Sequence, residues 1–316
     1  MDRRSYSPVR AGGTASTIYP LLDMNSLAPH KTGILFLVTL WFCWGFSYPA
    51  TKIMLREIDI WTSRTLIMGA AGALLLILGF LGKKELKIPK EYHRDLIIAA
   101  LLNMTVFQIC MTFGVHYFSA GRTVVIVYTM PLWAMLFAWY ILKEPLSLKR
   151  LIALSLGMAG LAALLSQNFS HLRAPGLGAA CTVVGAISFG LGTVWMKRRI
   201  WVTDPTVIAG WQLLIGTVPL IPFWLILGTK TAWGEITLLT LGTFIFLILI
   251  ANVLAYFLWF RILQIFPASV SGMGTLAVPI VGVIASSILL TETIGINELL
   301  ALGLIIPALI INLKTS

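Results

Sequence analysis

Charge is scarce in this chain. Asp, Glu, Lys and Arg make up 11% of its 316 residues, against roughly a quarter in soluble proteins. Hydrophobic residues make up 58%, and the mean hydropathy is +0.91. Apolar surface in that excess cannot be hidden inside a soluble domain, so the composition calls for lipid. Acid is scarcer still, at 12 residues against 23 Lys and Arg, and none of the 12 falls in the middle of an apolar stretch. Carriers that exchange protons for cargo place a carboxylate at depth, where its proton affinity can be tuned and its charge can hold a cation. Its absence argues against a strongly cationic drug as the preferred cargo, and leaves proton coupling to His116, a helix-end Glu or nothing. The four histidines (His30, His93, His116, His171) have no ligand spacing, and no carboxylate stands beside a deep Ser or His. An enzyme acting on lipids within the membrane would therefore lack its chemistry, and neither metal nor cofactor is expected. The three cysteines, Cys43, Cys110 and Cys181, show no metal or redox spacing and read as small buried apolar side chains.

The chain is rich in long apolar runs. Stretches of roughly 20 residues, enough to span a bilayer core, follow one another as Gly33–Ile53, Trp61–Leu81, Leu96–Val115, Arg122–Leu142, Leu148–Leu165, Gly176–Met196, Pro205–Leu227, Ile236–Phe260, Ala268–Leu290 and Ile296–Leu313. The runs are continuous, whereas barrel strands would alternate; the fold expected is an all-α integral membrane protein of ten transmembrane helices. Lys and Arg concentrate in the amino-terminal tail, the even-numbered loops and the carboxyl end, which by the positive-inside rule puts both termini in the cytoplasm. The net charge of +11 then reads as a topology signal and an attraction to anionic headgroups, not to nucleic acid. Residues 1–32 mix Ser, Pro, Gly and Arg without an apolar core, and read as a disordered cytoplasmic tail that is not a signal peptide.

The chain also repeats itself. Ala120, Pro131, Glu144 and Ala153 recur without a gap as Ala268, Pro279, Glu292 and Ala301, and the step from 120 to 268 is an offset of 148 residues. The repeat divides the chain into 33–166 and 176–313. Each half holds five helices, an odd number, so the second must enter the membrane from the opposite side. The charges agree: Lys143, Lys149 and Arg150 flank Glu144, whereas no positive residue flanks Glu292. Inverted repeats let a protein expose one central site to each side in turn.

These features resemble the drug/metabolite transporter superfamily in its EamA-like ten-helix branch. The resemblance rests on Trp44-Gly45 and Lys52 in the first helix, echoed by Phe189-Gly190 and Lys197 in the sixth, and on the Ala-to-Pro-to-Glu spacing of the fourth and ninth. The chain departs from the branch at Thr291-Glu292-Thr293, where a Gly-Glu-basic turn is usual. The resemblance implies a carrier of small molecules by alternating access at the cytoplasmic membrane. An exporter of amino acids or related neutral, zwitterionic or anionic metabolites is the first expectation, and a drug or sugar-derivative carrier the alternative. A monomer or weak dimer in the bilayer is expected.

Candidate cargo contacts are the polar and aromatic groups that lipid would penalise. Asn103, Gln108, Gln212 and Asn252 carry amides that must face the bundle, as cargo contacts or as glue between helices. Trp44, Tyr48, Tyr128, Trp211 and Tyr256 offer aromatic walls. Lys52, Arg64 and Arg122 stand near the outer ends of their helices, where they form a gate or hold a carboxylate, unless they snorkel or pair with Glu57 and Asp59. Pro131 and Pro279, mid-run in the fourth and ninth stretches, are candidate hinges. The Gly69–Gly72, Gly157–Gly160 and Gly272–Gly274 stretches permit close helix contact.

Overall fold

The computed structural model describes residues 27–143, 148–165, 174–199, 201–229, 231, 233–265, 275 and 277–313. Among these residues every regular element is helical. Six helical segments are long and apolar enough to cross a bilayer: Thr32–Met54, Ile60–Leu81, Lys90–Tyr117, Ala120–Leu142, Gly176–Lys197 and Leu238–Trp259. Pro205–Thr217 with Leu220–Leu227 makes a seventh if that bent pair is one span. Shorter apolar helices, Leu151–Gly160, Ala277–Leu290 and Ile296–Ala308, lie in the fifth, ninth and tenth stretches. Large apolar side chains point outward, Leu238 at 88% and Ile226 at 79% exposure, an arrangement that is stable only against lipid. The amino-terminal tail through residue 26, the Glu144 turn, His171 and 268–274, with Gly272 and Gly274, lie outside the described residues. Leu27–Thr32, assigned to the tail by composition, belong to the first helix.

Several spans are broken. In chain order the helices are α1 (Leu27–Gly45), α2 (Ser47–Met54), α3 (Ile60–Leu81), α4 (His93–Ala100), α5 (Phe107–Tyr117), α6 (Ala120–Val127), α7 (Met130–Leu142), α8 (Leu148–Leu165), α9 (Ala174–Lys197), α10 (Pro205–Thr217), α11 (Leu220–Leu227), α12 (Leu238–Ile248), α13 (Ala255–Ile265), α14 (Ala277–Leu290) and α15 (Ile296–Leu313). Wider π turns join α4 to α5 over Leu101–Val106 and α12 to α13 over Leu249–Leu254. A π turn frees backbone carbonyls from the regular ladder; the Ser188 hydroxyl takes one of them, donating to Leu102 O at 2.8 Å.

The prolines break the spans differently from the expectation. Pro131 stands in the first turn of α7, after an interruption at Tyr128–Thr129, and Pro279 in the first turn of α14. A first-turn proline sacrifices no intrahelical bond, so neither kinks a continuous rod. The sharp bend lies at Val218–Pro219, where α10 and α11 meet at 42°. Within a regular helix the proline is Pro307 of α15.

Small residues set the crossings, as expected where lipid removes most of the hydrophobic drive between helices. α3 and α10 pack through Gly72 and Gly210: a Cβ on Gly72 would sit 3.0 Å from Gly210 O, and one on Gly210 would sit 3.2 Å from Gly72 O. Gly45 of α1 packs on Val281 and Gly282 of α14, while Gly190 of α9 packs on Trp133 and Ala134 of α7. This is the physical content of the Trp44-Gly45 and Phe189-Gly190 motif: each glycine admits a neighbouring backbone that a side chain would exclude. α8 packs along α15, and α5 along α9.

Candidate substrate site and end seal

Where α2, α3 and α5 come together, three polar side chains meet. Arg64 enters from the first turns of α3, after the Asp59 cap whose carboxylate accepts from Trp61 N and Thr62 N. Arg64 is 1% exposed and its guanidinium turns into the bundle, donating through Nη2 to Thr51 Oγ1 at 3.1 Å and through Nη1 to Gln108 Oε1 at 3.3 Å. The Tyr256 hydroxyl approaches Met104 Sδ, one helical turn before Gln108, at 3.6 Å. Trp44 packs edge-on to the Tyr256 ring, with centroids 6.3 Å apart, and leans on Trp259. Tyr48 and Tyr128 lie buried in the adjoining apolar cluster. Arg64 therefore belongs to the interior, and neither Glu57 nor Asp59 is its partner. Among the described residues, the Arg64 Nε has no hydrogen-bond partner.

The other amides and Trp211 stand elsewhere. Asn103 donates to Gln212 Oε1 at 3.5 Å, a contact between the Leu101–Val106 π turn and α10. Asn252 donates to Leu247 O at 2.7 Å, bracing its own π turn. Trp211 Nε1 donates to Leu86 O at 2.8 Å and ties α10 to the loop after α3. That loop is also held by Lys84, 3.1 Å from Asp204, the N-cap of α10. Partial burial pushes the Asp204 carboxyl up, but the Thr206 N–H and Lys84 outweigh it and hold it below its ordinary value.

The end of the bundle that carries Lys52 is closed by contacts sequence reasoning missed. Lys52 Nζ donates to the carbonyls of Val115, His116 and Phe118 at 2.6, 2.8 and 2.9 Å, capping the end of α5 where backbone acceptors lack partners. Glu292 accepts from Ala120 N and Gly121 N, both at 2.9 Å, putting a carboxylate on the positive end of α6. Arg122, expected as a gate, forms an ion pair with Glu298 of α15 and lies over the Phe118 ring. Glu57 accepts from Thr237 N at 2.8 Å and Thr237 Oγ1 at 2.9 Å, which holds its carboxyl below the ordinary range. Beside these contacts opens a cleft of about 280 Å³ lined by Lys52, Leu55, Arg56, His116, Leu290 and Glu292. A basic residue closing a helix is a readable signal for a carbonyl cap; which helix it caps is not.

The EamA-like transporter family matches the chain twice, over residues 31–166 and 176–314. The chain belongs to that family. An uncharacterized transporter of Bacillus subtilis, YoaV, is 26% identical over 282 residues, covering 88% of this chain and 96% of its own. A probable amino-acid metabolite efflux pump of Salmonella typhimurium is 23% identical over 293 residues, covering 89% and 94%. One crystal structure superposes with a TM-score of 0.64 over 89% of this chain and 96% of its own, at 15% identity, which speaks to the fold alone. This EamA-like chain is a multi-pass membrane protein, a transporter and not an enzyme.

Family membership gives the departure at Thr291-Glu292 a physical meaning. Thr291 has φ 55°, the left-handed region, as does Lys143 before Glu144 at φ 59°. Glycine, usual in the family turn, occupies that region freely, whereas a β-branched residue there is strained by about 1–2 kcal/mol. Replacing Thr291 with Gly should stabilise the detergent-solubilised protein by about 1 kcal/mol, read as a higher Tm. An unchanged or lower Tm contradicts the strain.

Proposed function

We propose that this EamA-like protein moves a small metabolite across the cytoplasmic membrane by alternating access. Ten spans form two inverted five-helix repeats, 33–166 and 176–313, with both termini cytoplasmic, and one chain suffices for a complete path. Amino acids or related neutral, zwitterionic or anionic metabolites, exported from the cell, are the cargo.

The observation that carries this reading is the recurrence of contacts between repeat-related positions. Gly45 meets Val281 and Gly282, and Gly190, 145 residues on, meets Trp133 and Ala134, which lie 148 residues before that pair. The π turns at Leu101–Val106 and Leu249–Leu254 share the offset, as do the left-handed Lys143 and Thr291. Gln108, which binds Arg64, and Tyr256 are likewise equivalent positions, 148 residues apart. Contacts that recur between the halves define an axis that exchanges them, and such an axis is where a carrier with inverted repeats keeps its site. The named function of the Salmonella relative favours amino-acid export.

Counterflow tests the proposal. Liposomes holding the purified protein and preloaded with unlabelled amino acid should accumulate the labelled amino acid transiently, and protein-free liposomes should not. Absence of counterflow across a panel of amino acids, sugars and nucleotides rejects the reading.

A further inference from the structure

Arg64 is among the largest fully buried side chains of the protein. Arginine keeps its charge at any physiological pH and offers five N–H donors. Thr51 and Gln108, both neutral, take up two of them, and Nε is orphaned. The ion pairs among the described residues are Lys84–Asp204, Arg122–Glu298 and Arg199–Asp95, so no carboxylate among the described residues pairs with Arg64. A buried charge without a counter-ion costs several kcal/mol, and intramembrane ionisable groups that persist at such cost mark cargo pathways. The polar wall of the 280 Å³ cleft points the same way. It presents Lys52, Arg56 and His116 against Glu292, whose carboxylate is already engaged by two backbone N–H groups. Thr51, which holds the guanidinium, is the chain neighbour of Lys52 in that wall.

We propose that Arg64 is the receptor for a carboxylate on the cargo, which reaches it through the basic cleft at the Lys52 end. The inference rests on the transport reading and narrows it to metabolites bearing a free carboxylate. The planar guanidinium fork matches two carboxylate oxygens, and its orphaned Nε supplies one of the donors. Gln108 and Thr51 fix the fork and leave the rest of the cargo to the Trp44 side of the site. Arg64 neither gives up its proton nor forms a bond; it supplies the charge that the cargo carboxylate neutralises while the bundle is closed around it.

The test uses the full chain in liposomes and competition against counterflow by L-amino acids, succinate and inorganic phosphate, each amino acid paired with its carboxamide. Free carboxylates should compete at least 10-fold better than the matching amides, and phosphate weakly. Arg64→Gln should erase that preference, whereas Arg64→Lys, which keeps the charge but loses the fork, should retain part of it. Equal competition by acid and amide in the parent protein overturns the proposal, and that comparison stands even if Arg64→Gln does not fold. Phosphate competing as well as any carboxylate overturns the carboxylate assignment. Counterflow of sugars or amides with no carboxylate preference defeats the proposal alone, whereas no counterflow of any solute defeats the transport reading itself.

Discussion

Leucine in place of Gly190 should leave little folded protein in the membrane. A Cβ there would lie 2.8 Å from Ala134 N, 2.9 Å from Trp133 Cβ and 3.0 Å from Met130 O. Two of those three atoms are backbone, which cannot rotate away, and a leucine adds three more carbons beyond the Cβ. Overpacking a tight core costs roughly 1–3 kcal/mol even where neighbours can yield; here α9 must separate from α7. Gly176, around which nothing lies within 4 Å, is the matched control. Fluorescence-detected size exclusion of tagged protein should show the monodisperse peak nearly lost for Gly190→Leu and kept for Gly176→Leu. A full peak for Gly190→Leu contradicts the packing. Gly45→Leu should fail in the same way, because its Cβ would meet Val281 Cγ1 at 2.5 Å and Cβ at 2.8 Å.

The second large effect is expected at Glu292. Its two oxygens hold the first two N–H groups of α6, each at 2.9 Å, and hydrogen bonds to a charged group are worth about 1.5–3 kcal/mol each. Glutamine keeps the shape but offers one acceptor and no charge, so Glu292→Gln should loosen the seal between α6 and the turn after α14. With Cys43, Cys110 and Cys181 replaced, a cysteine introduced by Val124→Cys, buried against Gly282, reports the opening. Labelling by a membrane-impermeant maleimide should accelerate about 10-fold on Glu292→Gln, the equivalent of ~1.4 kcal/mol. An unchanged rate means that Glu292 does not hold this end shut.

The sequence announces the helices better than their interruptions. Long apolar runs locate the spans because lipid demands both length and saturation of the backbone. The π turns leave no compositional trace, since a single widened turn alters neither hydropathy nor period over a window of that size. Pro219 was visible within the Pro205–Leu227 run, yet only the coordinates separate it from Pro131 and Pro279, which look equally disruptive as letters and cost nothing in a first turn.

The site divides along the same line. Burial of Gln108 and Tyr256 follows from their position in apolar runs, but Arg64 sits one turn from a helix end, where a long basic chain ordinarily reaches for water. Its inward course is decided by Thr51 and Gln108 on other helices, and long-range partners of this kind are not encoded locally. Lys52 and Glu292 escaped for the same reason, because a cap is a contract between two elements distant in the chain.

The paired π turns bear on ancestry. Each amounts to one residue inserted into a regular helix, and the two insertions occupy equivalent places in the two halves. If the halves descend from one five-helix precursor, the insertion predates the doubling of the gene. A living protein consisting of a single such half, working as an antiparallel pair, should carry the same extra residue in its third helix.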